Sequence, residues 1–398
     1  MNDLIADLVK QVKPSATIAV TMKAAELKAA GQDVIGLGAG EPDFDTPAHI
    51  KAAAIEAINN GQTKYTAVDG TAALKQAIVD KLERDNNLGY QTDEILVSNG
   101  AKHSIFNAMN AVINPGDEVI IPAPYWVSYP DMTLLTGGRS VIVQTDAAQA
   151  FKMTADLLND AITDKTKLVI LNSPSNPTGQ VYTKSELSAI GDVLLAHPHV
   201  LVLTDDIYEH IYWGDEPLPH LCDLFPALKD RVIVINGVSK GYAMTGWRIG
   251  FAAAHREIIS AMRKIQSQST SNPSSVSQAA AVAAFNGPQD CLQTMTDAFK
   301  DRHDFVVKSL NEINGMSCLP GAGAFYAFAD VKSLIQSHDD CDNDIEWATW
   351  LLETAGVAVV PGTPFGAPGH VRIAFATTMD VLEQAMSRIK QAVEQLRI

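Results

Sequence analysis

Positive charge is in short supply in this sequence. Lys and Arg total 30 against 46 Asp and Glu, a formal net charge of -16 over 398 residues. Such a chain repels nucleic-acid phosphates and anionic lipid, so any negatively charged ligand needs a local cationic site. That is the pattern of a protein that binds small molecules, with neither nucleic acid nor membrane as partner. Cysteine is scarce too: Cys222, Cys291, Cys318 and Cys341 lie far apart with no CxxC pair. This excludes a disulfide scaffold or zinc ribbon and suits reduced thiols in the cytoplasm. No apolar run is long enough to span a bilayer. The first 13 residues carry acids and a spaced Leu4, Ile5, Leu8, Val9, Val12 stripe, which fits a short amphipathic helix rather than a signal peptide. There is no internal repeat, and no GxxxxGK[ST] loop. Gly36-Leu-Gly-Ala-Gly40 has the look of a dinucleotide fingerprint, but Glu41-Pro42-Asp43 comes where a helix should begin. His197, His199, His338 and Cys341 sit in polar connecting segments without a ligand set, so no metal is expected.

What is present is a foldable chain, 46% hydrophobic and 19% charged, long enough for two packed domains. From about residue 95 to 255, short β-branched runs alternate with helix-like stretches: 95–97, 118–121, 168–171, 200–203, 232–235 and 249–253. Continuous apolar runs suit strands buried on both faces, and the intervening helices suggest largely parallel connections. The class is α/β. Gly287-Pro288 is the expected place for a change of domain. Beyond it, helical patterns near 290–314 and 343–356, strand-like 324–329, 357–360 and 370–374, and a final amphipathic helix predict a smaller α+β domain, joined by the N-terminal 45 residues.

In an open α/β sheet the ligand sits beyond the carboxyl ends of the strands, so residues there are the first candidates. Ser98-Asn99-Gly100-Ala101-Lys102 is a Gly turn opening a helix, suited to an ordinary cap or to a phosphate on free N–H groups. In Asn172-Ser-Pro-Ser-Asn176-Pro-Thr-Gly179, prolines make a rigid turn that aims the Asn176 amide or is merely structural. Asp205 directly succeeds a buried strand and either caps a helix or meets a cationic or proton-donating partner. Lys240, just past the run 232–235, can lose its proton easily enough to become a nucleophile, and Arg248 is close behind. A phosphate cradle, an amide, a carboxylate, an amine and an arginine form the set that pyridoxal 5'-phosphate (PLP) requires.

On these residues the chain resembles the class I aminotransferases of the fold-type-I PLP superfamily, in particular the bacterial aspartate aminotransferase branch. The resemblance runs from Lys13-Pro-Ser-Ala-Thr17 to His370-Val-Arg372. It is most specific in Gly38-Ala-Gly-Glu-Pro-Asp-Phe44, Pro124-Tyr-Trp-Val-Ser-Tyr-Pro130, Asn176-Pro-Thr-Gly179, Ser239-Lys240 and Met244-Thr-Gly-Trp-Arg-Ile-Gly250. It implies a large domain (46–287) with a mostly parallel seven-stranded sheet between helices, a small C-terminal domain (288–398), and residues 1–45 as an arm and part of the small domain.

The resemblance also implies roles. Lys240 is similar to the lysine that bonds the cofactor and then moves a proton between Cα and C4′. Asp205 resembles the partner of the pyridine nitrogen, Tyr208 and Asn176 the donors to the ring's 3′ oxygen, and Trp126 the indole stacked on the ring. Arg248, Gly100, Ala101, Lys102 and Tyr65 resemble the phosphate anchors, Tyr65 reaching across from the second subunit of a homodimer with shared active sites. Arg372, helped by the backbone at Gly40, resembles the clamp on the substrate α-carboxylate. Lys102 is similar to the reader of a distal carboxylate, and Lys13 to a feature linked to prephenate use. Trp126 and Asn176 are expected to touch substrate as well. Two positions depart from the pattern: Gly237 stands where some relatives have serine, and His103 where glutamine is expected. The implied activity is amino transfer from aspartate to 2-oxoglutarate in the cytoplasm. A broader aspartate/prephenate or aromatic aminotransferase and a PLP-dependent lyase are the alternatives, since cofactor residues alone do not separate them.

Overall fold

A computed structural model describes residues 4–14 and 16–396. Ser15, within the Lys13–Thr17 stretch, lies outside the described residues, as do 1–3 and 397–398. In chain order the strands are β1 (Ile35–Gly36), β2 (Ile95–Ser98), β3 (Glu118–Ala123), β4 (Arg139–Gln144), β5 (Thr166–Asn172), β6 (Leu201–Asp205), β7 (Val232–Gly237), β8 (Gly250–Ala253), β9 (Ser317–Cys318), β10 (Tyr326–Asp330), β11 (Val357–Ala358), β12 (Val360–Pro361) and β13 (His370–Ala374).

Strands β2 to β8 form one seven-stranded sheet in the order β2-β8-β7-β6-β5-β3-β4. Its pairings are parallel except that β8 runs antiparallel to both β2 and β7. The side-chain period of two divides each strand between two cores. Leu203, Ile233 and Ile235 face one apolar cluster, and Val202, Val232 and Val234 face the other. That is why these strands read as continuous apolar runs: both faces are covered by helices. Sequence reasoning passes over β4, an edge strand with only one buried residue although it carries the run Val141-Ile142-Val143, and it places the start of β8 one residue early, at Ile249.

The second sheet is antiparallel, in the order β12-β13-β10-β9. Its register places Arg372 on β13 opposite Phe328 and Val360. The segment 357–360, expected as one strand, divides, β11 pairing in parallel with β1 and β12 with β13. The β1–β11 pair, extended by bonds from Leu37 N to Ala358 O and Ala374 N to Leu37 O (each 2.8 Å), ties the N-terminal segment to the C-terminal sheet and brings Gly38 and Gly40 towards β13. Near the N-terminus the amphipathic helix is short, Asp7–Gln11, and buries none of its residues. Gly287 closes the helix Ser275–Asn286. No helix among the described residues is long and apolar enough to cross a membrane.

Candidate functional site

The carboxyl ends of β5 and β6 and the loop after β7 open into a cavity of about 430 Å³, walled on the other side by β10, β13 and residues 39–41. Lys240, Asp205, Tyr208, Asn176, Arg248 and Arg372 line it, with Trp126, Lys102, Ala101 and Gly40. Gly100 lies just behind, at the start of the helix Ala101–Val112. Lys13 is elsewhere, on the wall of a neighbouring cavity that shares Lys102 and Arg248. Tyr65 is 91% exposed and outside both.

Asp205 ends β6 and is nearly inaccessible. No helix begins there, so the capping alternative falls; its Oδ1 turns back instead to the Ile207 N–H at 3.4 Å. Tyr129 Oη donates to its other oxygen at 2.7 Å. Burial raises the Asp205 pKa to about 6, the Asp206 charge adding to it and the Tyr129 bond opposing it. Tyr129, in the helix Ser128–Leu135, also meets Trp126 edge-on with centroids 5.3 Å apart. Sequence reasoning misses Tyr129 although it lies inside the Pro124–Pro130 stretch, three residues past Trp126.

Lys240 points its amine at the Gly40 carbonyl and lies 5.7 Å from the Tyr208 and Phe325 ring centres. Burial first, then the Arg372 charge, brings its pKa down to about 8. Gly40 therefore faces the lysine, and it is Gly38 whose carbonyl accepts from Arg372 Nη2, at 2.8 Å. Arg372 Nη1 donates to Asn176 Oδ1 at 2.9 Å. Its guanidinium carbon sits 4.4 Å from the Tyr326 ring centre and 5.1 Å from that of Phe365. Arg372 is 1% exposed, and its Nε has no hydrogen-bond partner among the described residues. Tyr326, a second residue that sequence reasoning misses, shares a 2.8 Å hydrogen bond between hydroxyls with Tyr208. Asn172 Nδ2 donates to Asp205 O at 2.7 Å and its Oδ1 accepts from Asn176 N at 2.9 Å, locking the proline-rich turn to the end of β6.

The helix start is built by close backbone approach. Gly100 has φ +86°, and a Cβ there would come 2.3 Å from Arg248 Nη2. A Cβ on Gly250 would come 2.1 Å from Ala101 N. Arg248, itself at φ 55°, donates to Thr245 O at 2.8 Å and Asn99 O at 3.2 Å. The first-turn N–H groups and this guanidinium together favour a phosphate dianion. Lys102 holds its ammonium 4.7 Å from the Trp126 ring centre, and burial, then the Arg248 charge, lowers its pKa.

PLP fits these residues on three counts. Among the described residues buried Asp205 has a tyrosine but no cation as hydrogen-bond partner, and it would gain one from a protonated pyridine nitrogen. The glycine turn lets the Arg248 guanidinium lie directly against the helix start, and Lys240 offers an amine with a lowered pKa.

Comparison with known proteins points the same way. The family model for aminotransferase class I and II matches residues 32–389. An aspartate/prephenate aminotransferase of Nitrosomonas europaea is 53% identical over 97% of this chain and 98% of its own. The aspartate aminotransferase of Bacillus subtilis is 48% identical over 98% and 99%. Among solved structures, the aspartate aminotransferase from Rhizobium meliloti has a TM-score of 0.95 at 48% identity, covering 99% of this chain and all of that one. That from Thermus thermophilus, solved with maleate, has a TM-score of 0.92 at 38% identity, covering 98% and 100%.

Proposed function

Since the chain belongs to the class I and II aminotransferases, we propose that it transfers the amino group of L-aspartate to 2-oxoglutarate through PLP, giving oxaloacetate and L-glutamate. The observation that carries this reading is one cavity holding a buried arginine, a lysine of lowered pKa and a buried carboxylate. PLP, when bound, supplies an aldehyde that condenses with amines and a protonated ring that draws electrons from the substrate Cα.

Lys240 would bond the cofactor's aldehyde, and its amine is placed to carry a proton from the substrate Cα; a neutral amine suits both tasks. Asp205 would keep the ring nitrogen protonated, and the hydrogen bond from Tyr129 offsets part of the effect of burial, favouring the ionised carboxylate. Trp126 covers one ring face, and Tyr208 and Asn176 serve the 3′ oxygen. The Gly100–Lys102 turn and Arg248 hold the phosphate. Arg372 binds the α-carboxylate through the planar fork of its guanidinium. Lys102 meets the distal carboxylate; a dicarboxylic substrate is in keeping with the Thermus thermophilus relative solved with maleate, itself a dicarboxylate.

The reading includes a homodimer with Tyr65 contributed across the interface. It is supported by the exposure of Tyr65 together with Ile18, Met22, Ile55 and Ile58. It also includes a cytoplasmic location and the division at 45 and 287 into arm, large and small domains. Prephenate use is a second reading, favoured by Lys13 and Lys102 on the wall of one neighbouring cavity and by the name of the Nitrosomonas europaea relative. Purified protein supplied with PLP, aspartate and 2-oxoglutarate is expected to form oxaloacetate and glutamate in equal amounts. Glutamate with prephenate tests the second reading. No product from either pair contradicts both.

The lysine gives a pH dependence. With a pKa of about 8, Lys240 is mostly protonated below that pH and neutral above it. The rate at which the apoprotein captures PLP covalently is therefore expected to rise about tenfold per pH unit up to about pH 8 and then level off. Stopped-flow absorbance checks this; a rise that continues to about pH 10 would place the amine at its ordinary value.

A further inference from the structure

Behind the helix start, four hydrogen bonds converge on one side chain. Gln266, in the helix Arg256–Ser267, is fully buried. Its Oε1 accepts from Ser98 Oγ at 2.7 Å and from Asn107 Nδ2 at 2.9 Å. Its Nε2 donates to the carbonyls of Val68 at 2.7 Å and Val97 at 2.8 Å. A primary amide has two donor hydrogens and two acceptor lone pairs, so all of its capacity is used.

The four partners are not scattered. Val97 and Ser98 end β2, immediately before the turn at Asn99 and Gly100, and Asn107 lies in the helix that the turn opens. Val68 belongs to the segment just beyond Tyr65. Gln266 thus clamps the strand on one side of the turn to the helix on the other. Arg248 Nη2 also reaches the turn, at Asn99 O. Packing alone would be served as well by a leucine, whereas a fully satisfied buried amide fixes distance and orientation.

We infer that Gln266 is a positioning residue for the phosphate site: it sets the strand-to-helix turn at 98–101 at the spacing where the backbone N–H groups and Arg248 engage a phosphate together. The inference rests on the PLP reading, and its test separates the two. Apoprotein is titrated with PLP and with pyridoxal, which keeps the aldehyde and ring but lacks the phosphate.

In Gln266→Leu the dissociation constant for PLP is expected to rise roughly ten- to a hundredfold, the range that results from misplacing a binding group by about an ångström. That for pyridoxal stays within about twofold of the wild type. Thermal melting reports whether the variant folds. If it does not, Ser98→Ala, which removes one of the four bonds, carries the same comparison with an expected several-fold loss confined to PLP. A folded variant that binds both ligands as the wild type does, or loses both equally, overturns the assignment and leaves Gln266 a packing residue. Wild-type protein that binds PLP no better than pyridoxal overturns the phosphate site itself, and the inference with it.

Discussion

Replacing Lys240 with alanine lowers turnover by at least about 10⁴-fold, the upper end of what a single positioned proton-transfer group contributes. The effect is expected to be this large because one amine has two tasks, bonding the cofactor and moving the substrate proton. The surroundings prepare it for both. Burial and the nearby Arg372 charge bring its pKa to about 8, so an appreciable neutral fraction exists at physiological pH, where an exposed lysine is almost wholly protonated. Alanine leaves Asp205, Arg248 and the helix start in place, so PLP is still expected to bind, without a covalent bond. Turnover and equilibrium dialysis on the same preparation check the two halves of the statement. A Lys240→Ala enzyme that turns over near the wild-type rate would remove Lys240 from the chemistry.

The second large effect belongs to Arg372. Its hydrogen bonds go to neutral acceptors, Asn176 Oδ1 and Gly38 O, and two aromatic rings flank it. Burial lowers its pKa, but guanidinium is so basic that it stays charged. A buried cation with neutral partners and an Nε unpartnered among the described residues is under-compensated until an anion arrives. Arg372→Leu is therefore expected to lose about 2–5 kcal/mol of substrate binding in the transition state, a drop in kcat/KM for aspartate of roughly thirty- to several-thousand-fold. Arg372→Lys recovers little, because an ammonium cannot present two parallel donors. The control is an amine lacking the α-carboxylate, whose slow reaction should be nearly unchanged by either substitution. Equal losses for both substrates would make Arg372 a structural residue.

Much of this arrangement is legible in the sequence, for reasons particular residues make clear. Strands buried on both faces announce themselves as β-branched runs, and ligands in open α/β sheets gather at the carboxyl ends of such strands. Asn176, Asp205 and Lys240 all lie within about five residues of such a run and line one cavity. The edge strand β4 carries a β-branched run of its own, Val141-Ile142-Val143, that sequence reasoning passes over; with one buried residue it is the least enclosed strand of its sheet. The supporting residues are hidden for another reason. Tyr129, Tyr326 and Gln266 act through partners 76, 118 and up to 198 positions away. Nothing local distinguishes them from an ordinary core tyrosine or a surface glutamine. Arg372 lacks a local signal as well, since its burial arises only when β13 pairs with β10 and residues 38–40 fold across it; resemblance to the family is what singles it out.

The most direct test of the central claim is the visible absorbance of the PLP-loaded protein as aspartate is added with no oxoacid present. The account predicts loss of the band of lysine-bound PLP, one oxaloacetate formed per site, and return of the band on later addition of 2-oxoglutarate, since one amine pool is handed from donor to acceptor in a single cavity. A band unmoved by aspartate and by glutamate would contradict amino transfer as the function of this site.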